Sequence, residues 1–126
     1  MFRDTHAFSG FSVNDIAKAK EFYESVLGLE VEESPMGLKL HIAGGTPIFI
    51  YAKDDHVPAT YTILNFPVAD IDSAVSDLTA LGVTFVTYQG MTDAQGVARG
   101  IQAKRGPDIA WFKDPAGNIL SILQDK

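Results

Sequence analysis

The stretch Phe11-Ser12-Val13-Asn14-Asp15-Ile16 decides the fold, because a similar stretch, Phe66-Pro67-Val68-Ala69-Asp70-Ile71, follows in the second half of the chain. In both stretches a predicted strand ends just before an aspartate, and that aspartate stands where the N-cap of a helix is expected. An internal repeat of about this length indicates that each half is one supersecondary unit stacked on its twin. The sequence therefore predicts two similar modules in tandem.

A helix is predicted after each of these aspartates. Apolar residues spaced three and four apart form one stripe in each helix: Ile16, Ala19, Phe22, Tyr23, Val26 and Leu27 in the first, and Ile71, Ala74, Val75, Leu78 and Leu81 in the second. Gly28 and Gly82 are expected to end the helices, since glycine tolerates the left-handed conformation that closes a helix.

Strands are expected before and after each helix. They are predicted at residues 7–13, 29–33, 38–42 and 48–53 in the first module, and at 60–68, 83–88, 109–113 and 119–124 in the second, with a poorly defined strand near 98–103. Four glycines between Gly90 and Pro107 suggest a mobile loop, and the polar stretch Tyr51–Tyr61 is typical of a linker. The pattern indicates an α+β fold of two βαβββ modules, at about residues 5–54 and 60–125.

Composition excludes several classes of function. The chain of 126 residues has no cysteine, which excludes disulfides, thiolate metal sites and a cysteine nucleophile. A net charge of −6 argues against nucleic acid as a partner and favours solubility, or attraction of a cationic ligand. The first residues show no signal-peptide pattern, and no apolar run approaches the roughly 18 residues of a membrane helix. We therefore expect a cytoplasmic protein with no membrane partner.

Three motifs accompany the tandem βαβββ order: the Val-x-Asp that opens each helix, Phe22-Tyr23 with Leu27-Gly28 in the first helix, and Asp114-Pro115-Ala116-Gly117-Asn118 near the end. In this order they resemble the vicinal oxygen chelate superfamily, which contains glyoxalase I, the bleomycin-resistance proteins and the extradiol dioxygenases. The resemblance covers essentially the whole chain. It implies one domain, residues 1–126, whose sheets curl into a cup around a ligand, with the helices outside and a homodimer as the assembly.

The resemblance also implies a divalent metal in the cup, held by His and Glu side chains. The matching positions in this sequence are Phe8, Phe49, Ile63 and Ser121. Phenylalanine and isoleucine have no donor atom, and a neutral serine hydroxyl is a poor ligand for zinc or iron. We therefore expect no metal and no other cofactor. A shift of two residues would bring His6 to the same face as Phe8 and would restore one ligand only.

Strand alternation predicts which side chains face the cup. The predicted ligand-binding residues are Phe8, Lys39, His41, Phe49, Tyr51, Tyr61, Ile63, Asn65, Trp111 and Ser121. Their aromatic character and few separated polar groups suit an apolar or aromatic small molecule, and aromatic faces can also hold a cation. The alternative is that these side chains fill a core or a dimer interface.

Two classes of function remain open. The first is a metal-free protein that sequesters a small molecule, as the bleomycin-resistance members do. The second is a lyase, isomerase or dioxygenase of the same superfamily. It would use either a displaced metal site at His6 or His41, or His41 as general base with Lys39 stabilising an oxyanion.

Overall fold

The computed structural model describes all 126 residues, which divide into two compact units, Met1–Pro58 and Ala59–Lys126. Each unit contains one helix and one four-stranded mixed sheet, so the predicted α+β class and the two βαβββ modules are confirmed. The joining of the two modules into one domain around a cup stays a prediction. No helix here has the length and apolar character that crossing a membrane requires.

The first unit is built from four strands and one helix with a widened end. They are β1 (Gly10–Val13), α1 (Ile16–Glu21) with a π-helical continuation (Phe22–Val26), β2 (Glu30–Ser34), β3 (Gly37–His41) and β4 (Ile48–Ala52). The strands lie in the order β1-β4-β3-β2. β1 is parallel to β4, and the other pairs are antiparallel.

The second unit repeats this topology. Its elements are β5 (Thr62–Pro67), α2 (Ile71–Ala80), β6 (Val97–Ala98), β7 (Asp108–Lys113) and β8 (Ile119–Gln124). The strands lie in the order β5-β8-β7-β6, with β5 parallel to β8 and the other pairs antiparallel.

Both predicted N-caps are confirmed. The Asp15 carboxylate accepts a hydrogen bond from the backbone N–H of Lys18 at 3.1 Å. The Asp70 carboxylate accepts from the backbone N–H groups of Asp72 and Ser73 at 3.0 and 3.1 Å. Each cap satisfies donors that the first turn of a helix leaves without a partner.

The first helix changes its winding where its aromatic residues begin. It is α-helical only to Glu21, and the Leu27 N–H then donates to the carbonyl of Phe22, five residues earlier, at 3.0 Å. Tyr23 in this wider turn is fully buried, and its ring meets that of Phe22 edge-on at 5.2 Å. Gly28, with φ of 72°, then ends the helix as predicted.

The strand predicted at residues 83–88 does not form. Phe85 makes one isolated bridge to Phe112, and the Val86 N–H donates to the Trp111 carbonyl at 2.8 Å. The reason is competition for one edge, because β8 occupies the other side of β7 and β6 already pairs with Ile109 and Ala110. The edge of β7 is thus shared between two short segments. The strand predicted near 98–103 is wrong except at Ala98, the last residue of β6, because residues 101–104 form a turn.

The turn between β7 and β8 is organised by a buried carboxylate. Asp114 is 4% exposed and accepts hydrogen bonds from the backbone N–H groups of Ala116 and Asn118, both at 2.9 Å, and from the Asn118 side-chain amide at 3.0 Å. Gly117 takes a φ of 86°, which a glycine adopts without strain. This turn fixes the register that places Ser121 opposite Trp111.

Arg99 links the segment at residues 90–107, which was expected to be mobile, to α2 and β7. Its guanidinium forms two hydrogen bonds to Asp72 in the first turn of α2, at 2.6 and 3.2 Å, and one to Asp93 at 3.1 Å. The Asp108 carboxylate, at the start of β7, lies 3.7 Å from the same guanidinium. A further hydrogen bond, from the Ile101 N–H to Asp108 at 3.0 Å, holds the chain just beyond.

This cluster predicts that Arg99→Gln lowers stability at neutral pH. We expect a lower midpoint of urea unfolding, because Arg99 lies close to three carboxylates, one of them buried, and such a network exceeds a lone surface pair. Urea unfolding of the two proteins measures the loss. Arg105→Gln is the matched control, since Arg105 is exposed and forms no ion pair.

The loss should also depend on pH. The hydrogen bond from Arg99 holds the pKa of Asp72 below its ordinary value of 3.8. The stabilisation is therefore fully present above that value and disappears as the pH falls through the lowered pKa. The difference between wild type and Arg99→Gln should shrink between pH 7 and pH 3. An equal difference at both pH values would contradict the assigned ion pairs.

Candidate functional site

Alternation along β3 and β4 separates the core of the first unit from its candidate site. Leu38, Leu40 and Ile50 are 0% exposed and lie on one face of the sheet. The residues between them, including the paired Lys39 and Phe49, lie on the opposite face. The face that does not supply the core is therefore available to a ligand.

An apolar groove of about 410 Å³ opens on this side. Its lining residues are Phe8, Met36, Lys39, Thr46, Pro47 and Phe49. Phe8 comes before β1 and is 67% exposed. The groove thus brings together three of the predicted ligand-binding residues, those at positions 8, 39 and 49. The three other lining residues, Met36, Thr46 and Pro47, lie in the connections between strands, where strand alternation does not predict which side chains face the groove.

Gly37, at the start of β3, lies next to the Phe49 ring. It has a φ of 144°, and a Cβ at this position would overlap the carbonyl oxygen of Ile50 and approach Cε1 of Phe49 to 3.2 Å. Only glycine lets β3 begin this close to β4. A larger residue at this position would displace Phe49, which lines the groove.

Tyr51 extends the aromatic surface beyond the groove. Its ring stacks on that of Phe49, with centroids 5.8 Å apart and planes 19° from parallel. Ser12 on β1 is the strand partner of Tyr51, and its hydroxyl forms a 2.6 Å hydrogen bond with Nδ1 of His56. The segment that follows β4 is in this way tied to β1 at the same face.

Three polar side chains stand next to one another on this face. The Glu32 carboxylate lies 4.0 Å from Nζ of Lys39 and 3.9 Å from Nε2 of His41. The exposed fractions of the side chains are 60%, 57% and 35% in that order. Glu32 was not among the predicted ligand-binding residues, although the antiparallel register of β2 and β3 places it directly opposite Lys39.

In the second unit, the structure brings together Asn65, Trp111 and Ser121. They are neighbours across β5, β8 and β7, with Ser121 paired to both others. Ser121 is 0% exposed, and its hydroxyl donates to Oδ1 of Asn65 at 2.5 Å. The serine that the sequence singled out is thus a buried residue with a hydrogen-bond partner.

The predicted alternation of Tyr61, Ile63 and Asn65 is interrupted. The β5–β8 register shifts between Thr62 and Leu64, so Ile63 lies in a bulge, and Tyr61 precedes the strand and is 70% exposed. Thr62 instead accepts a hydrogen bond from the Trp111 indole N–H at 3.1 Å. Sequence reasoning missed Thr62, because a bulge leaves no mark in the pattern of apolar residues.

The residues present do not fit the divalent metal that the fold family implies. Phe8, Phe49 and Ile63 have no donor atoms, and the Ser121 hydroxyl is bonded to Asn65. No three His, Asp or Glu side chains come close enough together to hold a metal ion. This geometry does not support the displaced site considered at His6 or His41.

Comparisons with known proteins agree with the fold. The model of the Glyoxalase/Bleomycin resistance protein/Dioxygenase superfamily matches residues 6–122. No curated protein is significantly similar in sequence. Among solved structures, a glyoxalase-family protein from Bacillus anthracis is 19% identical, with a TM-score of 0.68 over 100% of both chains.

Two further solved structures are similar to the chain. TnmS3, an antibiotic-binding protein from Streptomyces sp. CB03234, is 22% identical, with a TM-score of 0.66 over 98% of both chains. The fosfomycin resistance protein FosX from Listeria monocytogenes is 20% identical, with a TM-score of 0.68 over 95% of this chain and 92% of its own. By its sequence match over nearly its whole length and by its fold, the chain belongs to the Glyoxalase/Bleomycin resistance protein/Dioxygenase superfamily.

Proposed function

We propose that this protein binds an apolar or aromatic small molecule in the groove beside Phe49, without a metal. The groove itself is the observation that carries the proposal. Its volume of about 410 Å³ lies in the range of small-molecule sites, roughly 300–1,000 Å³. Its lining is apolar except for Lys39 and the Thr46 hydroxyl. Such a lining binds by removing apolar surface from water, and a few polar groups orient the ligand.

The surrounding residues support the same proposal. Tyr51 and His41 lie on the groove face, and the stacked Phe49–Tyr51 rings offer a flat surface for an aromatic ligand. TnmS3 and FosX, of the same fold, are described as an antibiotic-binding protein and a fosfomycin resistance protein. Contacts from Asn65, Trp111 and Ser121, and the homodimer, stay predictions.

The proposal predicts that Phe49→Ala weakens binding of aromatic ligands. Removing the ring takes away about 1.5–3 kcal/mol of apolar contact, which corresponds to roughly tenfold or more in Kd. A thermal-shift screen of aromatic small molecules would find ligands, and calorimetry at a temperature where both proteins are folded would compare their Kd values. Phe2→Ala is the control, because Phe2 is 74% exposed and outside the groove. Equal Kd values for wild type and Phe49→Ala would place the ligand elsewhere.

A second prediction concerns metals. We expect purified protein to contain no stoichiometric zinc, nickel, manganese or iron, and EDTA to leave both its melting temperature and its ligand affinity unchanged. The physical reason is the lack of a suitable donor set at Phe8, Phe49, Ile63 and Ser121. Elemental analysis of the protein gives the metal content. About one equivalent of metal per chain would overturn the metal-free proposal.

One observation favours a second function, acid–base catalysis at His41. The Glu32 carboxylate lies 3.9 Å from Nε2 of His41, so a carboxylate stands next to an imidazole on the groove face. A carboxylate can orient an imidazole that takes up a substrate proton. Lys39, in the groove lining, could then stabilise an oxyanion. The protein would in this case be a lyase or isomerase that needs no metal.

This second function predicts that His41→Gln reduces turnover by at least about 100-fold, the usual contribution of a general base. Product formation from each ligand found in the screen would be followed by mass spectrometry. His6→Gln is the matched control, because His6 is exposed and lies outside the strands. If His41→Gln leaves turnover unchanged, the catalytic function is excluded. If the same variant leaves ligand affinity unchanged, the binding function stays intact.

A further inference from the structure

We infer that the groove selects apolar ligands that carry one anionic group, such as aromatic or aliphatic carboxylates, and that Lys39 binds the anionic group. The inference rests on the proposed binding function and specifies its ligand class. The starting point is the charge of the lining. Lys39 is the one charged residue among those that line the groove.

A cationic ligand fits this lining poorly. Its charge would lie close to the Lys39 ammonium, and the lining contains no carboxylate to offset that repulsion. Phe8 and Phe49 could attract a cation through their ring faces, but this attraction is weak at exposed sites. Phe8 is 67% exposed, so the weak case applies to it. An anionic ligand would form an ion pair with Lys39, whereas Lys39 would repel a cationic ligand.

Lys39 remains available although Glu32 stands next to it. Their charged atoms are 4.0 Å apart, and both side chains are more than half exposed, so the pair adds little stability. The ammonium has three N–H donors, and one carboxylate cannot occupy all of them. Glu32 is on β2 and is not part of the lining. A ligand carboxylate can therefore join Glu32 at the ammonium or replace it.

The strand register sets the distance between the two binding elements. Lys39 and Phe49 are partners across β3 and β4, so their Cβ atoms are about 5 Å apart on one face. A ligand ring that covers Phe49 places a substituent within reach of the flexible lysine side chain. The matching ligand is a ring or short chain with a carboxylate one or two bonds away.

Three probes of one shape test the inference: 2-naphthoate, 2-naphthamide and 2-naphthylmethylammonium. Calorimetry at 150 mM salt should give a Kd for the carboxylate about two- to fivefold lower than for the carboxamide, the range expected of a half-exposed ion pair, and at least about fivefold lower than for the ammonium. Lys39→Met keeps the length and apolar stem of the side chain, and it should remove the preference, so that the Kd values of the three probes lie within about twofold of one another. Lys39→Arg should retain the preference.

Glu32→Gln is the matched variant on the partner side. It removes the competing carboxylate, so the Kd of 2-naphthoate should fall by about two- to threefold, with no change for the carboxamide. Three results would each overturn the inference while leaving apolar binding in place. They are equal Kd values for the three probes, tighter binding of the ammonium than of the carboxylate, and an unchanged preference in Lys39→Met. If none of the three binds saturably to folded protein, the carboxamide included, the proposed binding function fails as well.

Discussion

The two-residue period of the β3–β4 pair is the constraint on which the first unit depends. Leu38, Leu40 and Ile50 are completely buried, and the burial of each such side chain contributes about 1.5–3 kcal/mol. A slip of one residue in register would turn all of them to the other face, so the pairing is strongly specified. The same register holds Lys39 and Phe49 on the opposite face of the sheet. The core thus determines the groove, although no core residue lines it.

The sequence predicted most of the fold because its signals are local. Asp15 and Asp70 were identified as caps from their position before an apolar stripe, and both make the expected backbone hydrogen bonds. The strand predicted at 83–88 was wrong for a non-local reason. β8 takes one edge of β7 and β6 pairs with Ile109 and Ala110 on the other, which leaves only the stretch from Trp111 onward for residues 85 and 86. The π-helical turn after Glu21 was missed because apolar spacings of three and four do not distinguish it from an α-helix.

The candidate site was also predicted only in part. Alternation found Lys39 and Phe49, but it could not find Met36 or Pro47, which reach the groove from turns. The Arg99 cluster joins carboxylates at positions 72, 93 and 108, and no local pattern relates residues so far apart. Residues on strands follow a period that can be read from the sequence. The positions of residues on turns and in ion-pair clusters depend on packing between distant segments, which no local sequence pattern predicts.

Ser121 shows why one substitution would not supply the metal ligands that the fold family implies. Its hydroxyl is buried and donates to Asn65, so the position now serves the internal hydrogen bonding of the second sheet. A glutamate there would take a charge out of water with no cation beside it, and it would leave the Asn65 oxygen without that donor. It would also supply only one ligand, because Phe8, Phe49 and Ile63 remain without donor atoms. The missing donor atoms are therefore spread over several segments of the chain, and each of these positions would need its own substitution.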